Sequence, residues 1–360
     1  MGVSNFLAVL LILVFSGISA QQKESFSVFY STSAGMGTGN FKGTKSNFSS
    51  SHQLGISKKL NLEEAEWIRF LNAENISVSL LYSDMDEIEN DYFTYGKSYG
   101  AISEIDFRLL QKGNFKLFFT PGFGLTYVTK TAFNDTTTYI FGSHINAVFS
   151  AALKPEIRFA EDLSLYSNIS FLHYSNGSVQ IPNAGINVVN VGLGIKKDFQ
   201  AGNSEIKAEE KDFKKNGIEI AAGAGVRGKY RIKDNVFRMG FYAGYNRFIN
   251  RVLGFRIGLD ASYYGETYDP ENYQDTGAYI ANSWDPYRIG ASVGTEVKMG
   301  KFAANANFGR YLHFNNPNGQ KTYWNAGMKY YLAPNFGVQG VLNVHKFQAD
   351  YVNWGIFTRF

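Results

Sequence analysis

The chemistry this chain could perform is concentrated in residues 171–187, Phe-Leu-His-Tyr-Ser-Asn-Gly-Ser-Val-Gln-Ile-Pro-Asn-Ala-Gly-Ile-Asn. Three side chains there have complementary roles. A serine hydroxyl is a poor nucleophile until a neighbouring base takes its proton, and the usual base is an imidazole oriented by a third polar group. Ser175 supplies the nucleophile, His173 the base, and Asn187 the group that orients the ring. The trio describes an esterase, provided the fold brings residues 173 and 187 together.

A β-hairpin would do so. Gln180 is the midpoint of the stretch, and Asn-Gly, Pro and Asn-Ala-Gly supply turn chemistry. Pairing about that midpoint sets His173 opposite Asn187, with Cβ atoms about 5 Å apart. Ser175 lies two residues from His173, so both project to one face. Leu163, Leu165, Ile169 and Phe171 share parity with them, and Val189, Val191, Leu193 and Ile195 share parity with Asn187. The opposite row is Ser164, Tyr166, Asn168 and Ser170. The three reactive side chains therefore stand on the apolar face. A His and a Ser at a strand end are most often interfacial decoration. Shared parity, the opposing Asn and the apolar face set these apart.

An apolar face that carries polar chemistry suggests a sheet facing lipid, and composition agrees. The chain has 31 Phe, 23 Tyr and 4 Trp, 16% aromatic in all, with 18% charged residues. Ordinary domains carry about 25% charge. Gly is 37 and Pro only 7. There is no Cys, which excludes disulfides, thiolate metal sites and a cysteine nucleophile. After residue 20 no apolar run approaches the roughly 20 residues of a spanning helix. The aromatic content excludes disorder. A net charge of +4, spread along the chain, excludes a nucleic-acid partner. The fold class this leaves is all-β, a transmembrane antiparallel β-barrel.

About 16 alternating segments are expected, eight before residue 200 and eight after 216. Residues 201–215 carry eight charges, too many and too long for an ordinary periplasmic turn. The segment before this joint ends in Phe199 and the chain ends in Phe360, which resembles the C-terminal aromatic signature of bacterial outer-membrane barrels. Inward Gly is dense in the second half, where Glu219, Arg227, Arg238, Asp260, Arg288 and Glu296 could pair in a narrow lumen. Two eight-stranded barrels in tandem are favoured over one of sixteen strands. Residues 6–15 form a short apolar core followed by Ser-Gly-Ile-Ser-Ala, which reads as a signal peptide over 1–20. The division expected is signal peptide 1–20, first barrel 21–200, charged periplasmic linker 201–215 and second barrel half 216–360. With a periplasmic N-terminus the seventh strand ends at the cell surface. Its ten residues from Leu163 to His173 raise the trio by about 25 Å after tilt, into the outer leaflet where acyl esters of lipopolysaccharide lie.

The same stretch resembles the active-site region of the lipid A 3-O-deacylase family, outer-membrane barrels also known as acyloxyacyl hydrolases. The family pattern is His-x-Ser-Asn, then Pro-Asn-x-Gly, then an acid. Here it reads His173-Tyr-Ser175-Asn176, Pro182-Asn183-Ala-Gly185 and Asn187. Gly142-Ser143-His144-Ile-Asn146 also looks familial. The resemblance covers about residues 22–200. It implies ester hydrolysis on lipid A by Ser175 with His173 as base, and an oxyanion hole that includes Asn183, with backbone near Asn176 and Gly177. No cofactor or metal is implied. The partners are lipopolysaccharide and the outer membrane. The second half leaves a pore, a platform or a homodimer surface open.

This chain departs from the pattern in two places. Asn187 stands for the acid, and Gly177-Ser178 stands where the family has a small residue and then Gly. Asn in place of the acid costs serine proteases about 10⁴ in rate, yet Cys-His-Asn hydrolases use it natively. The competing reading is a non-catalytic structural or porin-like barrel with a degenerate site. His313-Phe-Asn315-Asn316 echoes the first motif without its Ser and is read as lumenal. The acidic run at 84–91 is read as a solvated outer loop rather than a Ca²⁺ site, and Lys130 as an outer-loop cation for lipid A phosphates.

Overall fold

In the computed structural model, two closed antiparallel barrels follow one another along the chain. The structure describes residues 25–37, 44–62, 64–86, 88–90, 95–135, 138–199, 213–268 and 282–360. The expected signal peptide, and most of the charged connection, lie outside the described residues.

The first barrel is built from β1 (Phe26–Gly37), β2 (Thr44–Lys59), β3 (Ala73–Asp84), β5 (Lys97–Lys112), β6 (Phe115–Val128), β7 (Ile145–Arg158), β8 (Leu163–Ser175) and β9 (Ile186–Phe199). It closes by pairing β1 with β9, from Phe26 opposite Phe199 to Gly37 opposite Val188. The short strand β4 (Ile88–Asn90) pairs only with β2, and the helix α1 (Glu66–Leu71) sits between β2 and β3. Neither is expected from alternation, because both are shorter than the pattern can show.

The second barrel runs β10 (Asn216–Lys229), β11 (Ile232–Phe248), β12 (Leu253–Tyr264), β13 (Tyr287–Met299), β14 (Phe302–His313), β15 (Thr322–Ala333), β16 (Phe336–His345) and β17 (Gln348–Arg359). It closes through β10 on β17, Glu219 opposite Arg359 to Ala224 opposite Trp354. The tandem arrangement is the one favoured from the sequence.

Exposure is inverted relative to a water-soluble sheet. Val189 is 41% exposed and Val191 61%, while Asn190 between them is fully buried. Outward apolar side chains suit lipid, and every strand of a closed sheet has its backbone paired.

The two lumens are filled differently. In the outer half of the first barrel, Leu81, Met85, Ile102, Val128, Ile140, Phe141, Leu172, Tyr174 and Ile186 form a buried apolar cluster. Below it the lumen is polar, with Lys154 on Asp106 at 2.5 Å and Lys196 on Glu156 at 2.7 Å. Apolar inward residues at the strand ends pack beneath the loops and hold that end rigid.

The second lumen is packed by ion pairs. Lys329 donates to Glu219 and to Glu296, each at 2.6 Å, and Arg256 reaches Glu219 at 2.7 Å. Arg288 lies 3.6 Å from Asp350, whereas Asp260 is held by Ser292, Tyr323 and Asn325. Arg238 lies over the Tyr264 ring. Two of the expected inward carboxylates, Glu219 and Glu296, thus take partners, Arg256 and Lys329, that the sequence reading does not name. Replacing Lys329 with Met leaves two buried carboxylates to share Arg256, and should cost about 3–5 kcal/mol of stability. Urea unfolding in detergent, followed by tyrosine fluorescence and gel mobility, measures it.

Candidate active site

The hairpin joining β8 to β9 forms with the register that its midpoint implies: His173 pairs with Asn187, and Phe171 with Val189. On the other side His173 pairs with Phe149 and Ser175 with Ala147. Two ladders therefore fix the backbone under the histidine.

His173 Nδ1 lies 2.6 Å from Asn187 Oδ1. A carboxamide oxygen can only accept, so Nδ1 carries the proton and donates. Nε2 is then left with its lone pair free to act as a base. The Asn thus fixes the tautomer that an acid would fix. Gly185, at φ +70°, packs against the same ring: a Cβ there would fall 3.1 Å from His173 Cε1 and 2.9 Å from the Tyr174 carbonyl oxygen. The site needs this glycine twice, for its backbone conformation and for the room it leaves the imidazole.

Ser175 is held by a different set of groups. Its Oγ accepts from Asn183 Nδ2 at 3.0 Å and from the Gly177 N–H at 3.2 Å. Among the described residues, no hydrogen bond joins Ser175 to His173. The Asn176 N–H donates to Asn183 Oδ1 at 3.0 Å, which turns the amide nitrogen of Asn183 towards the serine. The Asn176 side chain donates to Ser143 Oγ at 2.9 Å and to the Gln180 carbonyl at 2.8 Å, and accepts from the Ser178 N–H at 2.9 Å. Of the residues read as oxyanion donors, Asn183 and Gly177 aim at the serine oxygen, while Asn176 orients Asn183 and the loop.

Ser143 is the residue that motif reading underuses. Its hydroxyl donates to the Ile145 carbonyl at 2.9 Å while accepting from Asn176, so it ties the β6–β7 loop to the β8–β9 loop. Phe141 bridges to Asn183, and the Ala184 N–H donates to the Ile140 carbonyl at 3.1 Å. The familial Gly142-Ser143-His144 segment carried that signal.

Strand parity holds, but open exposure to lipid does not. Phe171 and Val189 are exposed and His173 and Asn187 half-buried, whereas Ser175 is only 9% exposed. Residues 176–182 fold over the serine. Lys130, read as an anion ligand, pairs with Asp86 at 2.9 Å, and Asp84 pairs with Lys97 at 3.2 Å, which takes up part of the acidic run. His313 is exposed at the mouth of the second barrel, 3.1 Å from Asp285, because a bulge after Ile289 turns it out of the lumen. Among the described residues no group of acids and histidines could hold a metal ion.

Two family models match the chain. The model described as lipid A 3-O-deacylase (PagL) matches residues 52–196, and the one described as acyloxyacyl hydrolase, C-terminal domain, matches residues 216–360. The chain belongs to the lipid A 3-O-deacylase family. Membership carries the family's activity, hydrolysis of an acyl chain of lipid A, and its place as an integral protein of the outer membrane. The second match extends the kinship beyond residue 200, where the sequence reading ends it.

A comparison with curated proteins gave no match. Among solved structures, the outer membrane protein Omp33 of Acinetobacter baumannii aligns at 11% identity over 94% of this chain and 100% of its own, with a TM-score of 0.18. An outer membrane channel from Pseudomonas putida F1 aligns at 9% identity over 95% and 97%, with a TM-score of 0.21.

The packing of Gly185 on the imidazole yields a prediction for this deacylase. Gly185→Ala should lower kcat by about 10–100-fold, since a displacement near 1 Å can cost that much. The barrel should still form, as seen by heat-modifiable gel migration.

Proposed function

We propose that this protein is an outer-membrane serine esterase, exported through the signal peptide at 1–20, that hydrolyses an ester-linked acyl chain of lipid A in the outer leaflet. Ser175 is the nucleophile, His173 the general base and Asn187 the residue that orients the imidazole. The observation that carries the reading is the 2.6 Å contact between His173 Nδ1 and Asn187 Oδ1. It leaves Nε2 as acceptor on the strand face that Ser175 shares.

The resting serine oxygen occupies the two donors that an oxyanion would need, Asn183 Nδ2 and the Gly177 N–H. A rotation about the serine χ1 would carry Oγ towards His173 Nε2 and free both donors. Such a shift is common, because catalytic hydrogen bonds often form only when substrate is bound. Nε2 then takes the hydroxyl proton as Oγ attacks the ester carbonyl. The oxyanion receives the two donors, and the sugar hydroxyl leaves with the proton from His173. Water, activated by the same imidazole, releases the fatty acid and restores the serine. A hydrogen-bond donor at an oxyanion is worth about 10²–10³ in rate.

The position suits the substrate. The acyl chains can lie against the exposed apolar row of Ile169, Phe171, Val189 and Val191, below a polar site at the rim. The lipid-filled surroundings offer similar contact, so discrimination falls to the headgroup.

Mass spectrometry of lipid A from cells expressing the protein tests this. Wild type should remove one ester-linked chain, and Ser175→Ala or His173→Ala should abolish the loss, by about 10³-fold or more. Asn187→Ala should retain more activity than Ser175→Ala. Asn187→Glu should be faster than wild type at neutral pH. An unchanged acylation pattern with wild type would reject the esterase reading. Equal rates for Asn187→Ala, Asn187→Glu and wild type would leave a Ser–His dyad.

A further inference from the structure

The loop that carries the Gly177 donor is held from outside by the second barrel. Residues 176–182 have their own Asn176 hydrogen bonds, but these satisfy only part of the loop. The Ser178 carbonyl accepts from the Gly228 N–H at 2.9 Å, and the Ile181 carbonyl from the Arg231 N–H at 3.1 Å. Ile181 also forms a parallel bridge with Tyr230. The Ser178 hydroxyl donates to the Ala349 carbonyl at 2.8 Å. Two turns of the second barrel, at 228–231 and 346–349, therefore bind the catalytic loop through its backbone and through Ser178.

Close approach on both sides reinforces these bonds. A Cβ at Gly142, in the first barrel, would lie 2.8 Å from the Gln180 carbonyl oxygen. A Cβ at Gly228, in the second, would lie 2.6 Å from Gln180 Cα. Gln180 is thus pinched between two glycines, one from each barrel. A Cβ at Gly177 would meet Val352 Cγ2 at 2.6 Å, so the outer wall of the second barrel also backs the donor residue itself. Ser178 sits at φ +67°. A non-glycine residue persists in that region only when its surroundings over-determine it.

Arg231 adds a side-chain contact across the same junction. Its guanidinium lies 3.9 Å from the centre of the Tyr139 ring, two residues before Phe141, the bridge partner of Asn183. The two segments that place Asn183 and Gly177 are each touched by the hairpin that joins β10 to β11.

The geometry points to the C-terminal barrel as a positioning clamp for the oxyanion loop: Gly228, Arg231 and the turn at 346–349 hold the Gly177 N–H on Ser175. This rests on the esterase reading above. Loops move more than the strands that carry them. A preorganised donor must stay within about 0.5 Å of its working position. The second barrel resolves that conflict by giving the loop a rigid partner. Its packed lumen suits the role, since a barrel filled by buried ion pairs deforms little.

The test uses the full chain in detergent, with two readouts on Gly228→Ala. Its new methyl cannot fit against Gln180, so the loop must lift. Hydrogen exchange of residues 176–182, followed by mass spectrometry, should speed up. Deacylation should lose kcat by about tenfold or more with KM changed by less than about twofold, because donor placement acts on the transition state and not on substrate binding. Should Gly228→Ala assemble poorly, Ser178→Ala removes one hydrogen bond. It should act in the same direction, lowering kcat by about threefold to tenfold. Faster exchange with unchanged turnover would overturn the proposal, as would unchanged exchange and turnover in both variants. If wild type hydrolyses no lipid A, faster exchange still establishes the clamp, and the failure falls on the esterase reading.

Discussion

Hydrocarbon offers no partner for a backbone N–H or carbonyl, so a chain that crosses it with strands must close each sheet on itself. Here closure happens twice, once through β1 on β9 and once through β10 on β17. Each barrel has its own seam and shares no strand with the other. The two are left with their walls, turns and loops as the means of contact. At the inner end α1 contributes, with Glu66 3.4 Å from Arg251. At the outer end the loop after β8 meets the turns of the second barrel. The proposed chemistry sits at that second meeting point.

The site follows from the same constraint. A lumen eight strands around is filled by side chains, so a lipid substrate must be met from outside. The β8–β9 ladder sets the His173–Asn187 distance without help from any loop. The serine and its donors lie just past the last paired residues, where the chain is free to turn back over itself. The apolar cluster under the rim, from Leu81 to Ile186, supports both parts from within. In the proposed mechanism rigid strands thus carry the base, and a braced loop carries the oxyanion donors.

Much of this was legible in the sequence because period-2 alternation is a local signal. It gave the strand segments, and turn chemistry about Gln180 gave the pairing of His173 with Asn187. What it missed has a common cause. Parity shows which way Ser175 points, but not that it is nearly buried or that a second barrel braces the loop beside it. Gly142 and Gly228 lie 86 positions apart, and no pattern in either segment announces that both touch Gln180. The partners of Glu219 and Glu296 were hidden for the same reason, since Arg256 and Lys329 meet them across a lumen and not along a strand. Asn183 was legible through its motif, whereas the turning of its amide by the Asn176 N–H required the folded loop.

The central claim is that Ser175 is the nucleophile. A fluorophosphonate forms a stable bond with an activated serine, so intact-mass and peptide mapping after treatment reads the claim directly. The account predicts one adduct per chain, on Ser175, lost in His173→Ala. An adduct on Ser143 or Ser178 in place of Ser175, or deacylation that continues in protein fully modified at Ser175, would contradict it.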